Sequence, residues 1–139
     1  MKNKSSLNKY AIVLITILIV QYLLGMFTNS FVQFPQGKNE GQLWDFAWSQ
    51  IPIAAHIIVG SLLLFGAIIF VIRSIRQKNK SWITASIIGG VGILISGMSG
   101  AFFISTQKDI YSYLMSIFFL VAFISYGWGL YSSLKHDKA

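Results

Sequence analysis

The amino-acid sequence predicts an all-α integral membrane protein, a single antiparallel bundle of four transmembrane helices with both termini on the cytoplasmic side. Three observations carry that expectation: four apolar runs long enough to cross a bilayer, mostly short polar connections, and a lopsided distribution of lysine and arginine. Hydrophobic residues make up 55% of the 139-residue chain and charged residues only 11%, with a mean hydropathy of +0.65. A soluble domain of this size cannot bury so much apolar surface.

A hydrocarbon core of roughly 30 Å is crossed by about 20 helical residues, and only a helix or closed barrel satisfies its own backbone hydrogen bonds there. Four runs meet that length: Tyr10 to Val32, Ile51 to Ile72, Trp82 to Ser105 and Ile110 to Leu134. The first has a basic start, as a signal peptide does. It continues for about 23 residues with no clear A-x-A site, which predicts a retained signal anchor. Residues 33–50 form a longer outer loop, while the two later connections are short enough to make their helices antiparallel neighbours.

Basic residues collect on the cytoplasmic side of bacterial spans. Lys2, Lys4, Lys9, Arg73, Arg76, Lys78, Lys80, Lys135 and Lys138 fall on one side, against Lys38 and Lys108 on the other. That balance predicts N-in/C-in topology in a bacterial plasma membrane. Three of the four acids, Glu40, Asp45 and Asp109, lie in the outer loops. Tyr10, Trp82, Trp128 and Tyr131 then form an inner aromatic belt, and Trp44, Trp48, Tyr111 and Tyr113 an outer one. The net charge of +7 is thus a topology signal, since no basic groove or nucleic-acid motif accompanies it.

In the outer loop, Trp44, Ala47 and Trp48 share a side if LWDFAWSQ forms a short helix, either an anchor at the headgroups or a lid over a pocket. Pro52 suits the first turn of the second span, where its missing N–H costs nothing. In the third span Gly92, Ser96 and Gly100 recur every four residues, so one face can approach a partner backbone closely. Packing inside the bundle is the plainest use of that face; a dimer seam or the bed of a flat cofactor are the others.

His56 is the ionisable group that lies well within a span, about five residues or roughly 7.5 Å from the outer end of its helix. An intramembrane polar group must find a partner, which makes it a candidate functional residue. Gly60, one turn further on the same face, leaves room for something broad beside it. Met26, Met98 and Met115 fall near the same depth, with Asn29, Thr28, Ser99 and Ser116 at nearby levels. Imidazole and thioether are axial ligands of low-spin haem and soft ligands for Cu(I). Hence His56 with Met98 or Met115 is a candidate haem or metal site, and a quinone or lipid pocket is a further reading. The bland alternatives are methionines filling core gaps and a hydrogen bond from His56 to Asn29, Ser99 or Tyr113. Gln21 and Tyr22, near mid-span, are expected to bond across helix interfaces.

The strings QYLLGMFTNSFVQFP, WDFAW and AAHIIVGSLLL resemble those of a small family of four-span bacterial membrane proteins. More remotely, a first span carrying Q-x-x-L-G, a polar outer loop with proline and tryptophan, and a second span opening on His56 are similar to one four-helix half of the haem A synthase family. That resemblance implies haem held by paired histidines on the second and fourth spans. The second-span position is His56, but the fourth span has no histidine, so the bundle carries over and the enzyme activity does not.

The chain has no cysteine, glycine-rich phosphate loop, nucleophile elbow, H-E-x-x-H or paired intramembrane carboxylates. The expectation is therefore a non-enzymatic bundle with an outward-side pocket around His56, lined by Asn29, Ser99 and Tyr113. It acts as an accessory or small-ligand-binding subunit, alone, as a homo-oligomer, or within a larger membrane complex. The rival is a haem-binding redox or haem-modifying protein working as a dimer; a small transporter lacks coupling carboxylates. Because the chain has no native cysteine, topology can be read with single cysteines. A membrane-impermeant maleimide should label Lys38→Cys on intact cells and Gln77→Cys only after permeabilisation; the reverse pattern would overturn the orientation.

Overall fold

The computed structural model describes residues 2–136, with side chains from 6 to 135. Lys138 lies outside the described residues, as do the side chains of Lys2, Lys4 and His136. Five helices account for nearly all of the described chain: α1 (Lys2–Phe31), α2 (Glu40–Ser49), α3 (Ile51–Arg76), α4 (Lys80–Thr106) and α5 (Asp109–His136). Four of them, all but α2, are long and apolar enough to cross a membrane. They contain the four predicted runs almost entirely, only Val32 falling past α1, and extend beyond them because lysine and arginine are good helix formers and continue a helix past its apolar stretch.

Local chemistry sets the boundaries. Asn39 caps α2 reciprocally: its Oδ1 accepts from the Gln42 amide at 3.0 Å while Gln42 Oε1 accepts from the Asn39 amide at 3.2 Å. Gln50 ends α2 and begins α3, with Pro52 in the first turn, so the chain turns a corner on one residue. Asn79 Oδ1 accepts from the Trp82 amide at 3.2 Å and starts α4. Gln107 ends it at a φ of 53°, a left-handed conformation secured by its side-chain amide, which donates to the Phe103 and Ile104 carbonyls.

The long helices form a closed ring, α1 beside α3, α3 beside α4, α4 beside α5 and α5 beside α1. Tyr10 stacks on Phe70, Leu14 meets Gly66 and Gln21 meets His56, so α1 and α3 run antiparallel. Inward positions alternate in steps of three and four. On α1 they are Leu7, Ala11, Leu14, Leu18, Gln21, Gly25 and Thr28; on α3, Ile53, His56, Gly60, Leu63, Ala67, Phe70 and Ser74; on α5, Ser112, Met115, Phe119, Ala122, Tyr126 and Gly129. This is the period of a left-handed bundle.

Those stripes divide the bundle lengthwise. Toward the end that carries the termini the interior is solid, with Leu7, Ala11, Leu14, Leu18, Leu63, Ala67, Phe70, Trp82, Ala85, Ile93, Ala122 and Tyr126 in one cluster. Trp82 presents its ring edge-on to Phe70 and donates from Nε1 to Asn8 Oδ1 at 3.2 Å, which satisfies the one polar atom of a fully buried indole. Toward the α2 end, a second cluster joins Leu43, Ala47, Ile53 and Ile104, with Val32, Phe34, Trp44, Phe46 and Ile57 packed around it. Between the clusters packing fails: no residue of α1 beyond Gln21 and none of α5 before Ala122 is buried.

Helices α4 and α5 approach most closely, and glycine is the reason. A Cβ on Gly92 would lie 2.9 Å from the Phe118 carbonyl oxygen and 3.2 Å from the Ala122 amide nitrogen. Ser125 donates to the Ala85 carbonyl and Ser96 to the Met115 carbonyl, each at 2.9 Å. Gly92, Ser96 and Gly100 therefore face α5 within the bundle, the packing use of that stripe. Gly92→Ala should lower stability by about 1–3 kcal/mol, because backbone cannot yield as a side chain does. Gly97→Ala, where a Cβ meets nothing within 4 Å, should be nearly silent. Equal effects in a reversible unfolding assay would contradict this close approach.

Candidate functional site

The gap between the two clusters is a cavity of about 470 Å³. Its floor is the top of the solid core, Leu18, Leu63 and Ile93; its roof is Val32, Phe34, Trp44, Ile53 and Ile104. Walls come from Gly25, Thr28 and Asn29 on α1, His56, Ile57 and Gly60 on α3, Ser96, Met98 and Gly100 on α4, and Met115 and Phe119 on α5. A volume of this size, mostly apolar with a few polar groups, is typical of small-molecule sites.

Gln21 and His56 form the polar feature of the wall. The Gln21 side-chain amide nitrogen donates to the His56 backbone carbonyl at 3.0 Å and lies 3.2 Å from His56 Nε2. An amide nitrogen only donates, so Nε2 is the acceptor and this arrangement assigns the Nδ1–H tautomer. The pair is fitted by reciprocal glycines. A Cβ on Gly60 would come within 2.9 Å of Gln21 Nε2, and one on Gly25 within 3.0 Å of His56 Cε1. Each polar residue is thus followed four positions later by a glycine that admits the other's side chain. The room beside Gly60 is used by Gln21, not left for a flat group as the sequence suggested.

Three polar atoms of this wall are buried without a partner: Gln21 Oε1, His56 Nδ1 and Thr28 Oγ1. Such groups cost about 1–3 kcal/mol each when unmet. Two other wall groups are satisfied internally. Trp44 Nε1 donates to Ser105 Oγ at 3.1 Å, tying α2 to α4, and Ser61 Oγ donates to the Ile57 carbonyl.

His56, Gly60, Met98, Met115 and Asn29 all line the cavity, so five residues singled out from the sequence meet there. Ser99 and Tyr113 do not line it. Ser99 is buried but donates to the Ile95 carbonyl of its own helix at 2.8 Å, and Tyr113 is 64% exposed. Neither is the partner of His56. Met26 is also exposed and off the wall. Trp44 and Ala47 turn toward the bundle, whereas Trp48 is exposed, so the two indoles do not share one environment.

Iron or copper ligation by imidazole needs a free nitrogen lone pair. Here Nε2 receives the Gln21 amide and Nδ1 carries the hydrogen, packed over Gly25. Met115 Sδ lies against Gly100, where a Cβ would meet it at 3.3 Å. In this arrangement neither imidazole nitrogen offers a free lone pair to iron or copper. The wall presents hydrogen-bonding and apolar contacts, and His56 is its one ionisable side chain.

Gly25 escaped the sequence reading; Thr28 entered it by depth alone, Ser96 in a packing face or cofactor bed, and Trp44 in an anchor or lid, and all four line the cavity. The signal was present on α1: the stripe Leu7, Ala11, Leu14, Leu18 continues in register as Gln21, Gly25, Thr28, so polar and small residues occupy positions that point inward. The tautomer supplies a direct check. Nitrogen NMR of labelled imidazole should show protonated Nδ1 and hydrogen-bonded, unprotonated Nε2, with the balance disturbed by Gln21→Leu; an Nε2–H ring unaffected by that change would contradict the bond. No family model matches this chain, and neither a curated protein nor a solved structure does.

Proposed function

We propose that this chain is a multi-pass protein of the bacterial plasma membrane, with both termini in the cytoplasm and α2 at the outer surface. In this reading it holds a small lipophilic ligand beside His56, as an accessory or ligand-binding subunit and not as an enzyme. Four long apolar helices support the membrane location. So does the exposed surface, where Leu23, Phe31, Leu62, Phe65, Ile124 and many others form an apolar girdle that water would not tolerate. The orientation rests on the basic residues gathered at the end that carries the termini.

One observation carries the binding function: the interior is solid on one side of Gln21–His56 and hollow on the other, under a dedicated roof. A bundle selected for stability alone would continue its Leu and Phe seam to the end. Instead the seam changes to Gln21, Gly25, His56 and Gly60, and a short capped helix closes over the resulting space. Partner contact, with a second copy or a larger complex, has room at Gly127, where a Cβ would meet nothing within 4 Å.

Native mass spectrometry of protein released from gentle detergent should show a stoichiometric noncovalent adduct. Met115→Trp, which fills cavity volume from the wall, should reduce that adduct by about tenfold or more while the helices remain folded by circular dichroism. A folded wild type that never carries an adduct, even after incubation with total membrane lipid extract, would count against the reading.

A further inference from the structure

The chemistry of the wall narrows the ligand, on the premise that the cavity is a binding site. We infer that it takes an uncharged lipophile whose head is a hydroxyl group, seated at Gln21 and His56. Three facts combine. Among the described residues no lysine, arginine, aspartate or glutamate lines the cavity, so a phosphate, carboxylate or ammonium head would enter a largely apolar space without a countercharge. The unpaired groups of the Gln21–His56 pair are of opposite kind: Gln21 Oε1 needs a donor, and the Nδ1–H of the assigned tautomer needs an acceptor. Gln21 is only 9% exposed, and its Oε1 is buried without a protein partner.

A hydroxyl is the smallest head that answers both, donating its hydrogen to Gln21 Oε1 and accepting from His56 Nδ1–H. A ketone, ester or quinone oxygen only accepts and leaves Gln21 Oε1 unmet. Neither Gln21 Oε1 nor His56 Nδ1 has surface open to a water-sized group, so seating a hydroxyl at both requires the two side chains to turn toward the cavity as the ligand enters. Thr28, two turns further along the same stripe of α1, both donates and accepts and suits a second oxygen on the ligand. The apolar remainder lies among Leu18, Leu63, Ile93 and Phe119. A long tail leaves through the flank, where wall residues Ser61, Leu94 and Met98 are exposed.

Several membrane compounds share this chemistry: diacylglycerols, isoprenoid alcohols and the reduced, phenolic form of isoprenoid quinones. The test presents the detergent-purified full chain with dioctanoylglycerol, farnesol and a short-chain naphthohydroquinone kept reduced. Alongside are the methyl ether of whichever binds, the oxidised quinone, and dioctanoyl phosphatidic acid. Binding is read by native mass spectrometry and by quenching with brominated analogues, since Trp44 lies in the roof.

At least one hydroxyl-headed probe should bind saturably, its methyl ether about tenfold more weakly, and the phosphatidic acid no better than detergent. Gln21→Leu should remove the preference for alcohol over ether without abolishing binding. The ether comparison needs no variant to fold. Equal binding of alcohol and ether, or a preference for the charged lipid, would overturn the hydroxyl head while leaving the cavity a binding site. No saturable binding of any probe, with Met115→Trp indistinguishable from wild type, would overturn the site itself.

Discussion

Each long helix turns one stripe inward, because residues three and four apart share a face and the rest cannot reach the bundle axis. What fills the interior at any level is therefore decided by about one residue from each helix. Toward the termini the inward residues include Leu14, Phe70, Trp82 and Tyr126, and the space closes. Toward α2 they include Gln21, Gly60, Ser96 and Met115. An amide, a hydrogen, a hydroxymethyl and an unbranched thioether fill less space than those apolar and aromatic side chains. The cavity lies where the seam residues change in this way.

The polar pair at this level orients more than it stabilises. Hydrogen bonds between membrane helices average only about 0.6 kcal/mol, because separated helices also find partners. What Gln21 supplies is a fixed direction: its amide is bound to the His56 carbonyl, so its second hydrogen must face Nε2 and the ring must present N–H at Nδ1. Gly25 and Gly60 are needed for the same reason, since a methyl at either would strike the partner side chain. On α4, glycine does a different job by bringing two backbones together at Gly92. The same residue type thus brings two backbones together in one place and admits a polar side chain in another, according to what stands opposite.

Much of the architecture was legible in the sequence because it depends on one-dimensional quantities. Apolar length gave the four long helices, Pro52 the start of α3, and the four-residue spacing of Gly92, Ser96 and Gly100 a close-packed face that proves to meet α5. Depth also brings His56, Met98, Met115 and Asn29 to one level, and all four line one cavity, each from a different helix. It could not give azimuth. Tyr113 stands at the right depth, but one residue from Ser112 turns it about 100° away from the wall. Ser99 spends its hydroxyl on its own helix. The partner of His56 is Gln21, which depth alone does not pair with it; the stripe running from Leu7 to Thr28 does, because it keeps one register along α1.

A ligand chamber at the level of Gln21 and His56 differs from a packing defect in that lipid pressure would close only the latter. An experimental density map of the full chain in lipid nanodiscs separates the two most directly. A chamber shows non-protein density between the Gln21–His56 pair and the Trp44 roof, its polar end within hydrogen-bonding distance of Gln21 Oε1. A map in which α1 and α5 have closed over Gln21, leaving no volume above Leu18 and Leu63, would contradict it.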